Sequence, residues 1–186
     1  MKNKDYKYLF LDRDGVINRR IIDDYIKTPQ EFQFLDGVPE AMKCFATHFD
    51  VIVIVTNQQG IGKGLMTHED FHAIMDFVHN EIHAAGGRID DVFYCPYLKT
   101  EHPFTRKPNV GMGLQARKKY PQIRFKESIM VGDSLSDMEF GKKLGMHTVL
   151  VGEKKEYPRR YPTMIDEYHA DLWAFAQNYH KRVSSK

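Results

Sequence analysis

The sequence predicts an α/β protein built on a doubly wound parallel sheet, and three observations carry that expectation. Short apolar runs alternate with stretches of helical periodicity from Tyr8 to His180, the order that makes βαβ units with right-handed crossovers. The run Val51-Ile52-Val53-Ile54-Val55 is β-branched throughout and lacks polar alternation, as a parallel strand buried on both faces should be. The strands that reach one edge end in ionisable or hydrogen-bonding residues, and that edge is where open α/β sheets bind ligands. No repeat, low-complexity tract or linker divides the 186 residues, so one domain over 1–186 is expected.

Taken in order, Tyr8 to Leu11 reads as a buried first strand, followed by Asp12, Asp14 and Gly15. Residues 19–36 are polar and irregular, a candidate flap over the sheet edge. A helix is expected from Val38 to about Thr47, with Pro39 in its first turn, where the missing N–H is harmless. Val51–Val55 is the second strand, and Thr56 to Gly64 a glycine-rich, mobile loop. Thr67 and Asp70 form a capping-box pattern for a helix to about Ala84, with Phe71, Ile74, Met75, Val78 and Ile82 as its apolar stripe. Asp91–Cys95 is the third strand, and 96–108 a long loop ending in Arg106-Lys107-Pro108. A helix over Asn109–Tyr120 is weakened at its start by Gly111 and Gly113. Ser128–Gly132 is the fourth strand, Leu135–Leu144 a helix stopped by Gly145, and Thr148–Val151 the fifth strand. A last helix is expected over about Thr163–His180, carrying Ile165, Tyr168, Leu172, Phe175 and Tyr179 on one face. From Arg182 onward a frayed end is expected.

Composition narrows the functional classes. The net charge is +2, from 27 basic and 25 acidic residues, so no broad attraction to nucleic acid or an anionic membrane surface is implied. Two cysteines, Cys44 and Cys95, are too few for a disulfide framework and fit a reducing compartment. The lead Met1–Asp5 lacks a signal-peptide core, and no apolar run approaches a membrane span. A soluble, cytoplasmic monomer acting on a small molecule is therefore expected.

The chemistry concentrates at the strand ends. Asp12 and Asp14 are one residue apart and can converge on a common point, since alternate residues of a strand share a side. Two such carboxylates repel unless a cation neutralises them or one stays protonated, and Mg²⁺ is the natural oxygen-liganded neutraliser. Taken alone, the pair also fits a strand running into an Asp-Gly turn. The other strand ends add Thr56 and Asn57, then Asp133 with Asp137 four residues on, while Arg106 and Lys107 close the loop after the third strand. A nucleophile, hydroxyl and amide donors, a cation and further carboxylates are what phosphoryl transfer requires.

These motifs resemble those of the haloacid dehalogenase (HAD) superfamily: Asp12-x-Asp14-Gly15, Thr56-Asn57, Lys107, and Gly132-Asp133-x-x-x-Asp137, in order. The longer forms Asp12 to Asn18, Thr56-Asn57-Gln58 and Arg106-Lys107-Pro108 resemble the heptose bisphosphate and histidinol phosphate phosphatases of that superfamily. The likeness spans about Tyr8 to Val151 and implies a Rossmann-like, HAD-type sheet with a minimal cap and a rather open site. It implies Asp12 as the nucleophile that forms an aspartyl-phosphate, and Asp14 as general acid and then base. Thr56 and Asn57 would hold phosphoryl oxygens, Lys107 would offset charge, and Asn18, Gln58, Lys63 and Arg106 would bind substrate. Mg²⁺ would be held by Asp12, the Asp14 carbonyl and Asp133, with Asp137 orienting Lys107 or a metal-bound water. Heptose 1,7-bisphosphate is the substrate the resemblance favours, with Arg19, Arg20, Lys63, Lys99 and Arg106 as candidate cations for a second phosphate.

The sequence departs from those relatives in one respect. Many of them carry a zinc loop before Arg-Lys-Pro, with a Cys-x-His start and two more cysteines. Here Cys95 precedes Pro96 and Tyr97, and the loop has no second cysteine, so no structural Zn²⁺ is expected and His102 reads as a loop or pocket residue.

Weaker signals have plainer readings. Gly60-x-Gly62-x-Gly64 lacks both the phosphate-loop and the dinucleotide spacings. His68, His72, His79 and His83 border a helix's apolar stripe, where half-buried rings are ordinary. Lys154 to Arg160 reads as a solvated basic connector. Three alternatives remain within reach of the residues: a histidinol phosphate phosphatase, a polynucleotide 3′-phosphatase, and a receiver-like switch phosphorylated on Asp12. Asp14 speaks against the switch, because an acid/base beside an acyl-phosphate shortens its life.

Overall fold

A computed structural model of the chain describes residues 6–21 and 24–185. The expected character of the lead Met1–Asp5 lies outside those residues. Six parallel strands form one sheet: β1 (Tyr8–Leu11), β2 (Val51–Asn57), β3 (Asp91–Cys95), β4 (Ser128–Gly132), β5 (His147–Val151) and β6 (Glu167–His169). The spatial order is β3-β2-β1-β4-β5-β6. The sheet is therefore doubly wound and Rossmann-like, and its order reverses between β1 and β4. Tyr8 aligns with Val51 on one side and Ser128 on the other, so the carboxyl ends of β1 and β4 lie level at the reversal.

The strands are apolar without alternation because both faces are covered. Leu9, Leu11, Ile52, Ile54, Ile129 and Val131 point to the side held by α1 (Val38–Ala46), α3 (His68–Ala84) and α7 (Leu172–Ser184). Their neighbours Tyr8, Phe10, Val51, Val53, Val55 and Met130 point to the side of α4 (Gly111–Lys119) and α5 (Leu135–Leu144). Each fully buried side chain of this kind contributes about 1.5–3 kcal/mol relative to exposure, enough to hold two-sided strands of four to seven residues in register.

The α3 helix opens as expected: Thr67 Oγ1 accepts from the Asp70 N–H at 3.0 Å, and Asp70 returns the bond to the Thr67 N–H at 2.8 Å. Its five expected stripe residues are all buried. The four histidines are not half-buried as expected; all four side chains are exposed. His68 Nδ1 is 2.8 Å from the Tyr94 hydroxyl and His72 Nε2 3.4 Å from it, so water and one phenol suffice for these rings.

Three expectations need correction. The loop 56–64 is not a free loop: Gln59–Gly62 close a helical turn, α2. The turn is tied down by Gln59 Nε2 donating to the Tyr25 hydroxyl and Gly62 N–H donating to the Pro96 carbonyl, 3.0 and 2.9 Å. The connector 154–160 contains a further turn, α6 (Tyr157–Arg160).

The expected helix over 163–180 is two elements, β6 and α7. Asp171 is extended at φ −158° and its carboxylate accepts from the Ala174 N–H at 2.7 Å, so α7 starts at Leu172. Ile165 and Tyr168 fell at helical spacing from Leu172, but Ile165 packs with Met138 and Leu150, and residues 167–169 pair with 149–151. A three-residue edge strand is too short to carry a period of two against the helical spacing downstream. At the other end α7 continues through Arg182 to Ser184.

Candidate active site

The chain leaves β1 while still paired with β4: the Asp12 N–H donates to the Val131 carbonyl at 3.0 Å. It then turns tightly, with the Val16, Ile17 and Asn18 N–H groups all converging on the Arg13 carbonyl. Gly15 makes the turn possible. Its φ is +86°, and a Cβ there would lie 2.3 Å from Asp133 Oδ2, so the β1 turn and the residue after β4 meet backbone to carboxylate.

Asp12 Oδ1 accepts from its neighbour's N–H and is ion-paired with Lys107 Nζ, both at 2.8 Å. Lys107 Nζ lies at the same time 2.6 Å from Asp137 Oδ1. All three side chains are buried. Burial raises the Asp12 pKa to about 7: Lys107 opposes the rise, while Asp137 and Asp133 add to it. For Lys107, burial works against the charge, but the two carboxylates outweigh it and its pKa is raised. Asn57 fixes the lysine from behind. Its amide donates to the Lys107 carbonyl at 3.1 Å and accepts from the Lys107 N–H at 3.0 Å.

Asp14 is held differently. Burial alone would raise its pKa, but the Arg13 charge and hydrogen bonds from Arg13, Asn18 and Gln58 lower it. Arg13 is 1% exposed and grips the carboxylate through Nη2 at 2.8 and 2.9 Å. Gln58 Nε2 bridges Asp14 Oδ2 and Thr56 Oγ1 at 2.9 and 2.8 Å. Without a cation the two neighbouring carboxylates are thus pushed in opposite directions, Asp12 towards its protonated form and Asp14 towards its ionised form.

Asp133 follows β4. Its Oδ1 accepts from Arg20 Nη2 at 3.1 Å, and the same nitrogen donates to the Asp14 carbonyl at 3.2 Å. The Asp133 carbonyl accepts from Lys154 Nζ at 2.8 Å. Asp137 closes the group. Gly132 lets it in, since a Cβ on residue 132 would sit 2.2 Å from the Asp137 Cβ. Oxygens of Asp12, Asp133 and Asp137 lie within 4.8 Å of one another. This all-oxygen donor set fits a hard divalent cation such as Mg²⁺. The protein's own Arg20 guanidinium already spans two of the oxygens concerned, Asp14 O and Asp133 Oδ1.

The group faces a cavity of about 520 Å³ whose wall includes Asp12, Asp14, Thr56, Asn57, Lys63, Arg106 and Lys107. Arg106 Nη1 and Arg13 Nη1 are buried without a hydrogen-bond partner, and both residues line the cavity.

Asn18 and Gln58, expected as substrate contacts, are 0% and 1% exposed and stand outside that wall; their amide nitrogens donate to Asp14, Asn18 Nδ2 at 3.0 Å. Lys63 is at the rim, its ammonium 5.3 Å from the Tyr25 ring centre. Lys99 and His102 line a neighbouring hollow that shares Asn57, Arg106 and Lys107, while Arg19 and Arg20 border another with Lys154 and Asp133. Cys95 is buried and receives a hydrogen bond from Thr105 Oγ1 at 3.4 Å.

Sequence reasoning passed over Arg13, Ser134 and Ser136, and read Lys154 as part of a solvated connector. Arg13 had a signal, a long cation between two carboxylates in sequence. For Lys154 the position after the fifth strand was the signal, while its contact with Asp133 bridges 21 residues.

Residues 104–174 match a family model described as "HAD-hyrolase-like". The chain is 40% identical to the D-glycero-alpha-D-manno-heptose-1,7-bisphosphate 7-phosphatase of Mycobacterium bovis, over 168 residues, 90% of this chain and 88% of that protein. It is 38% identical to the protein of the same name from Campylobacter jejuni, over 81% of this chain and 85% of the relative. The solved D,D-heptose 1,7-bisphosphate phosphatase of B. bronchiseptica, complexed with magnesium and phosphate, superposes with a TM-score of 0.81 at 28% identity. That match covers 94% of this chain and 98% of the other.

Proposed function

We propose a reaction for this chain from one premise: it belongs to the HAD-like phosphatases, in the branch of the heptose-1,7-bisphosphate 7-phosphatases. It is a phosphoric monoester hydrolase, and its substrate on this reading is D-glycero-D-manno-heptose 1,7-bisphosphate, cleaved at the 7-phosphate. The observation that carries the reading is Asp12 held against Lys107 at the floor of a cavity, with unpaired Arg106 Nη1 in its wall.

An Asp12 carboxylate oxygen attacks phosphorus, and the bond from phosphorus to the sugar oxygen breaks, leaving an aspartyl-phosphate. The departing oxygen takes its proton from Asp14. The donors around Asp14 hold it ionised, so it gains that proton only when the bound phosphate's negative charge offsets Arg13. In the second half Asp14 takes a proton from water as the water oxygen attacks phosphorus, and the bond to Asp12 breaks to restore the carboxylate. Thr56 and the Asn57 backbone hold phosphoryl oxygens, and Lys107 balances charge on Asp12. Asp12, the Asp14 carbonyl and Asp133 would hold Mg²⁺, which supplies positive charge to the equatorial oxygens when bound. Asp137 orients Lys107. Lys63 and Arg106, which line the cavity, meet the second phosphate on this reading.

Among the described residues no helix is long and apolar enough to cross a membrane. On this reading the protein works as a cytoplasmic monomer, on a small molecule rather than a nucleic acid.

The test is phosphate release from both anomers of heptose 1,7-bisphosphate, histidinol phosphate and a 3′-phosphorylated oligonucleotide, with and without Mg²⁺. Loss of one phosphate from the heptose, dependent on Mg²⁺, is expected. Preference for histidinol phosphate or the DNA end would overturn the substrate.

A further inference from the structure

At the sheet edge opposite the cavity, two helices bring together three side chains that phosphoryl transfer does not use. Cys44 lies in the last turn of α1, His48 four residues on, and His180 near the end of α7. A sulfur and two ring nitrogens of this trio lie within 4.8 Å of one another. His48 Nε2 is 2.9 Å from His180 Nδ1. Cys44 Sγ is 3.7 Å from the Ala176 carbonyl, one turn before His180. We propose that Cys44, His48 and His180 form a binding site for a borderline-soft divalent transition ion of the Zn²⁺ class.

The geometry supports a single ion. Bonds of about 2.0–2.1 Å to nitrogen and about 2.3 Å to sulfur place tetrahedral ligand atoms roughly 3.3–3.8 Å apart. The two rings need to part by only a few tenths of an ångström for an ion to replace the shared proton between them. His180 Nε2 is 3.4 Å from Ser184 Oγ, so the ring has a partner on its outer nitrogen, as ligating imidazoles usually do.

The base beneath is stiff. The Phe49 and Tyr179 rings stack at 4.9 Å, Phe45 and Phe175 pack at 5.5 Å, and the His48 ring stands edge-on to Tyr179 at 5.8 Å. Three protein ligands leave a fourth position for water, since His180 is exposed. Binding exchanges the thiol proton, released to solvent, for a sulfur–metal bond.

The donor set separates this site from the phosphatase centre. Thiolate and imidazole select Zn²⁺-class ions, whereas the carboxylates and carbonyl near Asp12 suit Mg²⁺. An ion here would tie α7, the last element of the fold, to α1, and would stabilise the native chain by mass action.

The test is a Co²⁺ titration of the full chain, with Mg²⁺ saturating and a phosphine reductant present. One equivalent is expected to produce a thiolate-to-cobalt charge-transfer band and the strong visible absorption of a four-coordinate ion, both abolished by excess Zn²⁺. Cobalt held only by carboxylates absorbs weakly and gives no thiolate band, so this readout does not depend on the phosphatase reading. Cys44→Ser should remove the charge-transfer band. His180→Ala, at an exposed position, should weaken binding by about tenfold or more with unchanged far-ultraviolet circular dichroism. A wild-type chain without the band, a band that survives Cys44→Ser, or His180→Ala binding as tightly as wild type would overturn the proposal and leave an ordinary histidine–histidine hydrogen bond.

Discussion

Lys107 Nζ and Asp137 Oδ1 lie 2.6 Å apart with side chains 1% and 0% exposed, a fully desolvated ion pair. Asp137 also accepts from the Ser134 N–H at 3.1 Å and from its hydroxyl at 2.5 Å, so one carboxylate anchors the start of α5 and the lysine together. Breaking a buried pair from one side costs about 3–5 kcal/mol. Asp137→Ala leaves Lys107 only Asp12 as a carboxylate partner, so the loss should fall near the lower end, about 3 kcal/mol. A denaturant midpoint within error of wild type would show that the pair contributes nothing net.

Asp12→Asn should reduce phosphate release by about 10⁴-fold or more, as expected when a covalent nucleophile is removed. Asn matches Asp12 in size and removes a charge that burial disfavours, so circular dichroism and the unfolding midpoint should stay near wild type. Turnover within tenfold of wild type would exclude Asp12 as the attacking group.

Gln58→Leu removes one of the hydrogen bonds that keep the Asp14 carboxyl below the usual carboxylate range. With less to favour the ionised form, the Asp14 pKa should rise. Protonated Asp14, which serves the departing oxygen in the first half-reaction, then persists to higher pH, so the alkaline limb of kcat/KM set by its loss should move to higher pH. A limb that stays in place while KM rises would mean that Gln58 acts on substrate instead.

Mg²⁺ should stabilise the protein more at pH 8 than at pH 5.5. The Asp12 pKa is raised by burial to about 7, above the unfolded value of about 3.9. In metal-free protein this group's contribution is complete below that unfolded value and is lost as pH rises through about 7. A cation on the carboxylate reverses the loss and competes with the proton. Thermal unfolding with and without Mg²⁺ at the two pH values reads the difference; equal increments would contradict it.

Glu167 makes the opposite prediction in acid. Burial would raise its pKa, yet hydrogen bonds from His147, His169 and Arg182 hold it well below the usual carboxylate range. Stability from a depressed carboxylate is complete above the unfolded value of about 4.3 and fades as pH falls below it. Glu167→Gln should flatten the fall in unfolding midpoint below about pH 4.3, with little change near pH 7 in the slope of stability against pH.

What the residues determine by themselves is the set of strands, the boundaries of most helices and the list of chemical groups at one edge. Strands β1 to β5 were legible because runs such as Val51–Val55 are apolar on both faces, and α3 because its cap and stripe are local. Strand β6 was not, since its three residues depend on pairing with β5. The roles within the site were decided by tertiary packing. Asn18 and Gln58 look like substrate ligands in sequence, but the turn after β1 and the end of β2 bring their amide nitrogens onto the Asp14 carboxylate. Opposite shifts on Asp12 and Asp14 arise because burial, with Asp137 and Asp133, outweighs Lys107 at Asp12, whereas Arg13, Asn18 and Gln58 together outweigh burial at Asp14. Electrostatic environment depends on distances through space, and sequence separation does not encode those.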